Sequence, residues 1–126
     1  MASWKILVAD DDPNVREVVG LYCAKQQIQM IEAPDGEAAL ELIEKERPDM
    51  IILDVRMPKA DGFIISRQMF RRFDIPFLFL TSNRSPCDRD MGIGLGAKDY
   101  ITKPFSPREL VARIKAILSS TESGPI

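Results

Sequence analysis

The sequence predicts an α/β domain with a doubly wound, five-stranded parallel sheet, and three observations carry that prediction. Five short apolar runs, at 6–9, 29–32, 50–53, 77–80 and 99–102, are spread along the chain. Segments of helical period follow each of them, so the order is strand then helix five times over, which implies parallel strands covered by helices on both faces. Three of the runs, Ile6-Leu7-Val8-Ala9, Met50-Ile51-Ile52-Leu53 and Phe77-Leu78-Phe79-Leu80, are nearly continuous aliphatic or aromatic stretches. Such runs belong to strands buried on both faces. Right-handed crossovers are expected, with ligands bound beyond the carboxyl ends of the strands where strand order reverses.

Each helix has its own signals. Asp12 caps the first, with Pro13 at its first position, and Val15, Val18, Val19 and Tyr22 share one stripe. Asp35 caps the second, whose apolar face holds Ala38, Ala39, Leu42 and Ile43 and which must end by Arg47, ahead of Pro48. The third spans about 62–72, with Asp61-Gly62 as the turn before it. The fourth, about 86–95, is weakened by Gly92, Gly94 and Gly96, each costing roughly 1 kcal/mol relative to Ala. The fifth opens on Ser106-Pro107-Arg108-Glu109, a capping box, and buries Leu110, Val111, Ile114 and Ile117 or Leu118.

Composition excludes several classes of function. At 126 residues and 45% apolar, the chain has the size and proportions of one globular domain rather than of a disordered segment. Its net charge of −2 lacks the basic excess of a nucleic-acid-binding domain. There is no histidine, which removes His-based metal sites and Ser-His or Cys-His catalysis. Cys23 and Cys87 lie far apart in no metal-binding spacing and read as inert, reduced thiols. No apolar run approaches the roughly 20 residues of a membrane span, and the N-terminus lacks a signal-peptide layout, so a cytoplasmic location is expected.

The chemistry gathers at the strand ends. Strand 1 ends in Asp10-Asp11-Asp12, strand 3 in Asp54, strand 4 in Thr81-Ser82 and strand 5 in Thr102-Lys103-Pro104. A parallel sheet brings all of these to one edge. Ionised carboxylates crowded together repel, and a hard divalent cation relieves them; Mg²⁺ suits one or two carboxylates plus waters and a phosphate. Lys103 adds a positive charge, a hydroxyl is at hand, and a carboxylate can be the nucleophile, as in a phosphoryl-transfer site. Asp12 reads as a cap rather than a ligand, and Thr81 gains interest only from its place near Asp54.

The segments Ile6-Leu7-Val8-Ala9-Asp10-Asp11-Asp12, Leu53-Asp54-Val55-Arg56-Met57-Pro58-Lys59-Ala60-Asp61-Gly62, Leu80-Thr81-Ser82 and Thr102-Lys103-Pro104-Phe105 resemble, in family order, the receiver domain of bacterial two-component response regulators. The resemblance covers residues 4–119 and leaves 120–126 as a flexible tail or the start of a linker. It implies a flavodoxin-like (βα)5 fold with strand order 2-1-3-4-5. It also implies that Asp54 is phosphorylated by a sensor histidine kinase, and that Asp10, Asp11, Asp54 and the backbone carbonyl of Arg56 bind Mg²⁺. Lys103 would contact a phosphoryl oxygen, with a cis bond to Pro104, and Thr81 and Tyr100 would form the switch. The stretch 88–113 is most similar to receivers joined to winged-helix DNA-binding domains. That likeness implies a homodimer through helix 4, strand 5 and helix 5, with Arg89 facing Glu109 and Asp99 facing Arg113 across a two-fold axis. Lys98 departs from that pattern, since an acidic residue is common there.

Two other classes compete. A Mg²⁺-dependent phosphatase with an aspartate nucleophile would carry Asp-x-Asp-x-Thr/Val after strand 1, but Asp10-Asp11-Asp12-Pro13-Asn14 lacks the Thr or Val. A nucleotide or flavin binder would show a glycine-rich loop there, and none is present.

Overall fold

Central strands made wholly of aliphatic and aromatic residues must be shielded on both faces, and the architecture follows from that need. The computed structural model describes residues 3–122, with side chains for all of these except 69–71, 121 and 122. Strands β1 (Lys5–Ala9), β2 (Gln29–Ala33), β3 (Met50–Leu53), β4 (Phe77–Thr81) and β5 (Tyr100–Thr102) alternate with helices α1 (Pro13–Lys25), α2 (Gly36–Glu46), α3 (Gly62–Arg72), α4 (Pro86–Gly94) and α5 (Pro107–Glu122). All strands pair in parallel, in the order β2-β1-β3-β4-β5. Every residue of β3 and β4 is buried, as their unbroken apolar runs require.

The period-2 alternation of the strands divides the core in two. Leu7, Ala9, Ile51, Leu53 and Phe79 face one side and pack with Ala39 and Ile43 of α2, Ile65 of α3 and Tyr100. Ile6, Val8, Ile52, Leu78 and Leu80 face the other and pack with Val19 and Cys23 of α1 and with Leu110, Val111, Ile114 and Leu118 of α5. Phe79 lies between Phe63 and Tyr100, with ring centroids 5.3 and 5.9 Å away. It ties α3 and β5 to the middle of the sheet.

The helix starts are where the sequence places them, and each is satisfied by a side chain. Asp12 accepts from the N–H of Asn14 (2.9 Å), Asp35 from Ala38 (2.8 Å) and Asp61 from Ile64 (2.9 Å). Ser85 accepts from Asp88 (3.4 Å) and Ser106 from Glu109 (3.2 Å). Asp12 is thus a helix cap, as its position ahead of Pro13 suggests. Helix α2 ends on Arg47 in the left-handed region (φ 45°), directly before Pro48. Helix α5 continues to Glu122, past residue 119, because no glycine or proline interrupts Ser119-Ser120-Thr121-Glu122. Residues 123–126 lie outside the described part.

The two thiols differ sharply. Cys87 is exposed, whereas Cys23, on the inner face of α1, is fully buried, and burial pushes its thiol from 9.0 up to about 11. The unfolded chain ionises Cys23 near pH 9 and the folded one only about two units higher. Its contribution is therefore complete below pH 9 and lost as pH rises through 11, amounting to about 2–3 kcal/mol. Urea unfolding of wild type and Cys23→Ala at pH 8 and pH 11 is expected to show a steeper loss in wild type, and parallel losses would refute the assignment.

Candidate functional site

Strand order reverses between β1 and β3, and there the register places two carboxylates side by side. Ala9 is paired with Leu53, so the next residues of both strands, Asp10 and Asp54, leave the sheet together. The Asp54 N–H donates to the Ala9 carbonyl (2.9 Å), and the Asp10 N–H to the Ala33 carbonyl (3.0 Å). Both side chains are almost wholly buried. On the other side, Thr81 pairs with Thr102, and the Lys103 N–H donates to the Thr81 carbonyl (2.8 Å). Lys103 therefore enters the same edge from β5.

The Lys103 ammonium bridges the two acids, with Nζ 2.8 Å from Asp10 Oδ2 and 2.9 Å from Asp54 Oδ2. Their other oxygens accept main-chain N–H groups: Asp10 Oδ1 that of Asp12 (2.9 Å) and Asp54 Oδ1 that of Arg56 (3.1 Å). Burial raises the Asp10 carboxyl above its ordinary value, and the bonds from Lys103 and Asp12 offset this only in part. Burial by itself would lower Lys103, but the two carboxylates outweigh it and raise the ammonium above its ordinary value. Lys103 is thus a permanent cation at neutral pH.

A divalent cation fits this donor set. Asp10, Asp11 and Asp54 each offer a carboxylate oxygen, all within 4.8 Å of one another, with Asp11 exposed and the other two buried. Three hard oxygen donors against one ammonium leave the cluster negative, as a hard cation requires. A cleft of about 550 Å³ opens beside it, lined by Asp11, Arg56, Met57, Asp61, Asn83 and Asp88 among others.

The loop after Asp54 is tightly constrained. The Gly62 N–H donates to the Val55 carbonyl (2.9 Å), and a Cβ on Gly62 would lie 2.4 Å from the Asp54 carbonyl oxygen. Lys59 and Ala60 have φ of 62° and 135°, strained for residues with side chains.

Of the other residues singled out, Thr81 is fully buried, and its Oγ1 accepts from the Asn83 N–H (3.2 Å) rather than facing an open site. Tyr100 is buried too, its hydroxyl donating to the Asn83 carbonyl (2.9 Å). Arg56 and Ser82 are exposed, and the Lys103–Pro104 bond is cis. Arg89, Asp99, Glu109 and Arg113 all line one groove over α4, β5 and α5. Within it Asp99 is ion-paired with Arg113 of the same chain, and Arg89 lies 3.5 Å from the Tyr100 carbonyl.

Two residues escaped the sequence reading. Arg16, on α1, grips the Asp10 carbonyl with its guanidinium (2.6 Å) and pairs with Glu32 of β2 (2.9 Å). It fixes the main chain of an acid of the site, and its signal was its place in the first turn of the helix that follows that acid. Asn83 has no motif signal at all.

An open parallel sheet whose switch point carries a lysine-bridged acidic pair defines an α/β domain built for phosphoryl chemistry. The sequence matches the family described as "Response regulator receiver domain" over residues 6–115. Curated relatives include two proteins named "Probable transcriptional regulator ycf27". That of Galdieria sulphuraria is 43% identical over 90% of this chain and 45% of its own length. That of Cyanophora paradoxa is 41% identical over 94% and 50%. This chain spans about half the length of those relatives. Among solved structures, the Francisella response regulator 1452 receiver domain superposes with a TM-score of 0.90 at 32% identity, covering 94% of this chain and 99% of that one. The BeF3-activated N-terminal receiver domain of Klebsiella pneumoniae RstA gives 0.85 at 33%, covering 90% and 97%. The chain belongs to the response regulator receiver family, and its strand order is the one that membership implied. Among the described residues no helix is long and apolar enough to cross a membrane.

Two outcomes test the geometry. Mg²⁺ at ten times its Kd is expected to stabilise wild type by about 1.4 kcal/mol in thermal unfolding, and to leave Asp10→Asn/Asp11→Asn unmoved; an equal shift in that variant would place the cation elsewhere. Gly62→Ala forces Cβ onto the Asp54 carbonyl and should cost about 1–3 kcal/mol in urea unfolding, and a neutral result would show the loop to be freely adjustable.

Proposed function

We propose that this receiver accepts a phosphoryl group on Asp54 from the phosphohistidine of a sensor histidine kinase and thereby controls an output, transcription in the first instance. The observation that supports this best is Lys103 held between Asp10 and Asp54 at the switch point of the sheet. An Asp54 carboxylate oxygen attacks phosphorus, the P–N bond breaks, and its electron pair remains on the imidazole nitrogen. Lys103 is within reach of any oxygen added to Asp54 and offers it an ammonium N–H. Asp10, Asp11, Asp54 and the main-chain carbonyl of Arg56 are the proposed holders of Mg²⁺. When bound, that ion supplies neutralisation of charge on the phosphoryl oxygens.

Thr81 and Tyr100 form the switch in this reading. The phosphorylated state favours a homodimer through α4, β5 and α5, with Arg89, Asp99, Glu109 and Arg113 at the contact. The internal Asp99–Arg113 pair would then be shared with, or exchanged for, the partner's equivalents. The chain acts on itself rather than turning over a separate substrate, contacts no nucleic acid, and works in the cytoplasm beside its kinase. Relatives named as transcriptional regulators support the output assigned here.

Incubation with acetyl phosphate and Mg²⁺ is expected to add the mass of one phosphoryl group to wild type and nothing to Asp54→Asn. Lys103→Ala should lose the phosphate-induced increase in size on gel filtration. A variant without Asp54 that still gains the mass, or a wild type that never does, would refute the reading.

A further inference from the structure

Asn83 makes four hydrogen bonds that lead to four different places. Its N–H donates to Thr81 Oγ1 (3.2 Å), and its carbonyl accepts from the Tyr100 hydroxyl (2.9 Å). Its side-chain Oδ1 accepts from the Ser85 N–H (3.1 Å), and its Nδ2 donates to Asp88 Oδ2 (2.6 Å). The residue is 8% exposed. Its main chain therefore joins the two switch hydroxyls, while its amide holds the cap residue and the third residue of α4.

Besides these bonds, helix α4 is held by the Ser85 cap, by Arg89 against the Tyr100 carbonyl and by Gly92 on the aromatic rings. Nine residues make a marginal helix whose position depends on tertiary contacts. It crosses the Phe79 and Tyr100 rings at Gly92, where an added Cβ would lie 3.0–3.2 Å from ring carbons. Met91 and Ile93 face outward. The contact of α4 with the sheet is thus backbone laid against two rings tilted by 57°, with Gly92 the buried residue of the helix. The Asn83 amide is a polar latch at its first turn.

We infer that Asn83 is the positioning residue that conveys the state of the Thr81 hydroxyl to helix α4. The inference rests on the phosphoacceptor reading above. Thr81 reaches a phosphoryl oxygen on Asp54 by turning its hydroxyl, which withdraws Oγ1 from the Asn83 N–H. The freed main chain of residue 83 shifts to regain an acceptor. Its carbonyl carries the Tyr100 hydroxyl with it, and its amide carries Ser85 and Asp88. A cap that merely stabilised the loop would leave α4 deaf to that movement.

A donor–acceptor exchange separates these alternatives. Asn83→Asp keeps an acceptor for Ser85 but loses the donor to Asp88 and sets two carboxylates together. Adding Asp88→Asn restores the bond with its polarity reversed. Each protein is first treated with acetyl phosphate and Mg²⁺ and weighed. Amide NMR spectra are then recorded with and without Mg²⁺ and beryllium trifluoride as a phosphoryl mimic. All three proteins are expected to gain the phosphoryl mass. The shifts of residues 89–93 should fall at least threefold in Asn83→Asp and return in the double variant. Undiminished shifts in Asn83→Asp, or no recovery in the double variant, would overturn the inference even if melting temperatures changed. Absence of the mass gain in wild type would instead refute the phosphoacceptor reading, and this inference with it.

Discussion

The arrangement depends on one electrostatic constraint, the burial of Asp10 and Asp54 side by side around a single ammonium. Two carboxylates at that separation repel, and desolvation adds to the cost of each charge. Lys103 makes the pair tolerable, and it does so from the far side of the sheet. The chain must pass through β3, β4 and β5 before the partner of its first acid arrives. The site therefore exists only when the parallel order is complete. A charge cluster buried in this way is poor evidence of stability, since the cost of taking its members out of water can match or exceed their mutual attraction. It is better evidence of a place kept for a ligand that changes the balance of charge.

That constraint accounts for features around the edge. Arg16 holds the Asp10 carbonyl, Arg84 donates to the Lys103 carbonyl (2.8 Å), and the Gly62 N–H closes the loop after Asp54. At this edge each grips main chain rather than the carboxylates of Asp10 or Asp54. The two buried acids are thus fixed through the main chain as well as through their own oxygens, each of which accepts one N–H, and Asp11 stays exposed. Below the edge, unbroken hydrocarbon in β3 and β4 gives the acids a rigid floor.

What the sequence made legible follows from which interactions are local. Caps at Asp12, Asp35 and Ser106 are read within one turn, and apolar runs such as Met50–Leu53 announce their own burial. The convergence of Asp10, Asp54 and Lys103 was legible because parallel order sends every strand end to one edge. Arg16 and Asn83 were not, because the groups they bind, main-chain carbonyls and N–H groups among them, are brought within reach only by the fold. The Asp99–Arg113 pair shows a further limit. The family resemblance implied contact across an axis and did not foretell that the start of β5 and α5 bring the same two residues together within one chain.

The two sides of the sheet have unequal duties. Helices α1 and α5 cover one face with large aliphatic side chains, including Val19, Leu110, Ile114 and Leu118, all essentially without exposure. Interlocked packing of that kind resists sliding. Helix α4, by contrast, meets aromatic rings through a glycine and carries exposed Met91 and Ile93. A change of charge at Asp54 can move only what is loosely held. The physics of packing thus sends any response toward α4 and β5, whichever residue conveys it. The groove formed by Arg89, Asp99, Glu109 and Arg113 lies over those two elements and α5, where such a movement would be felt.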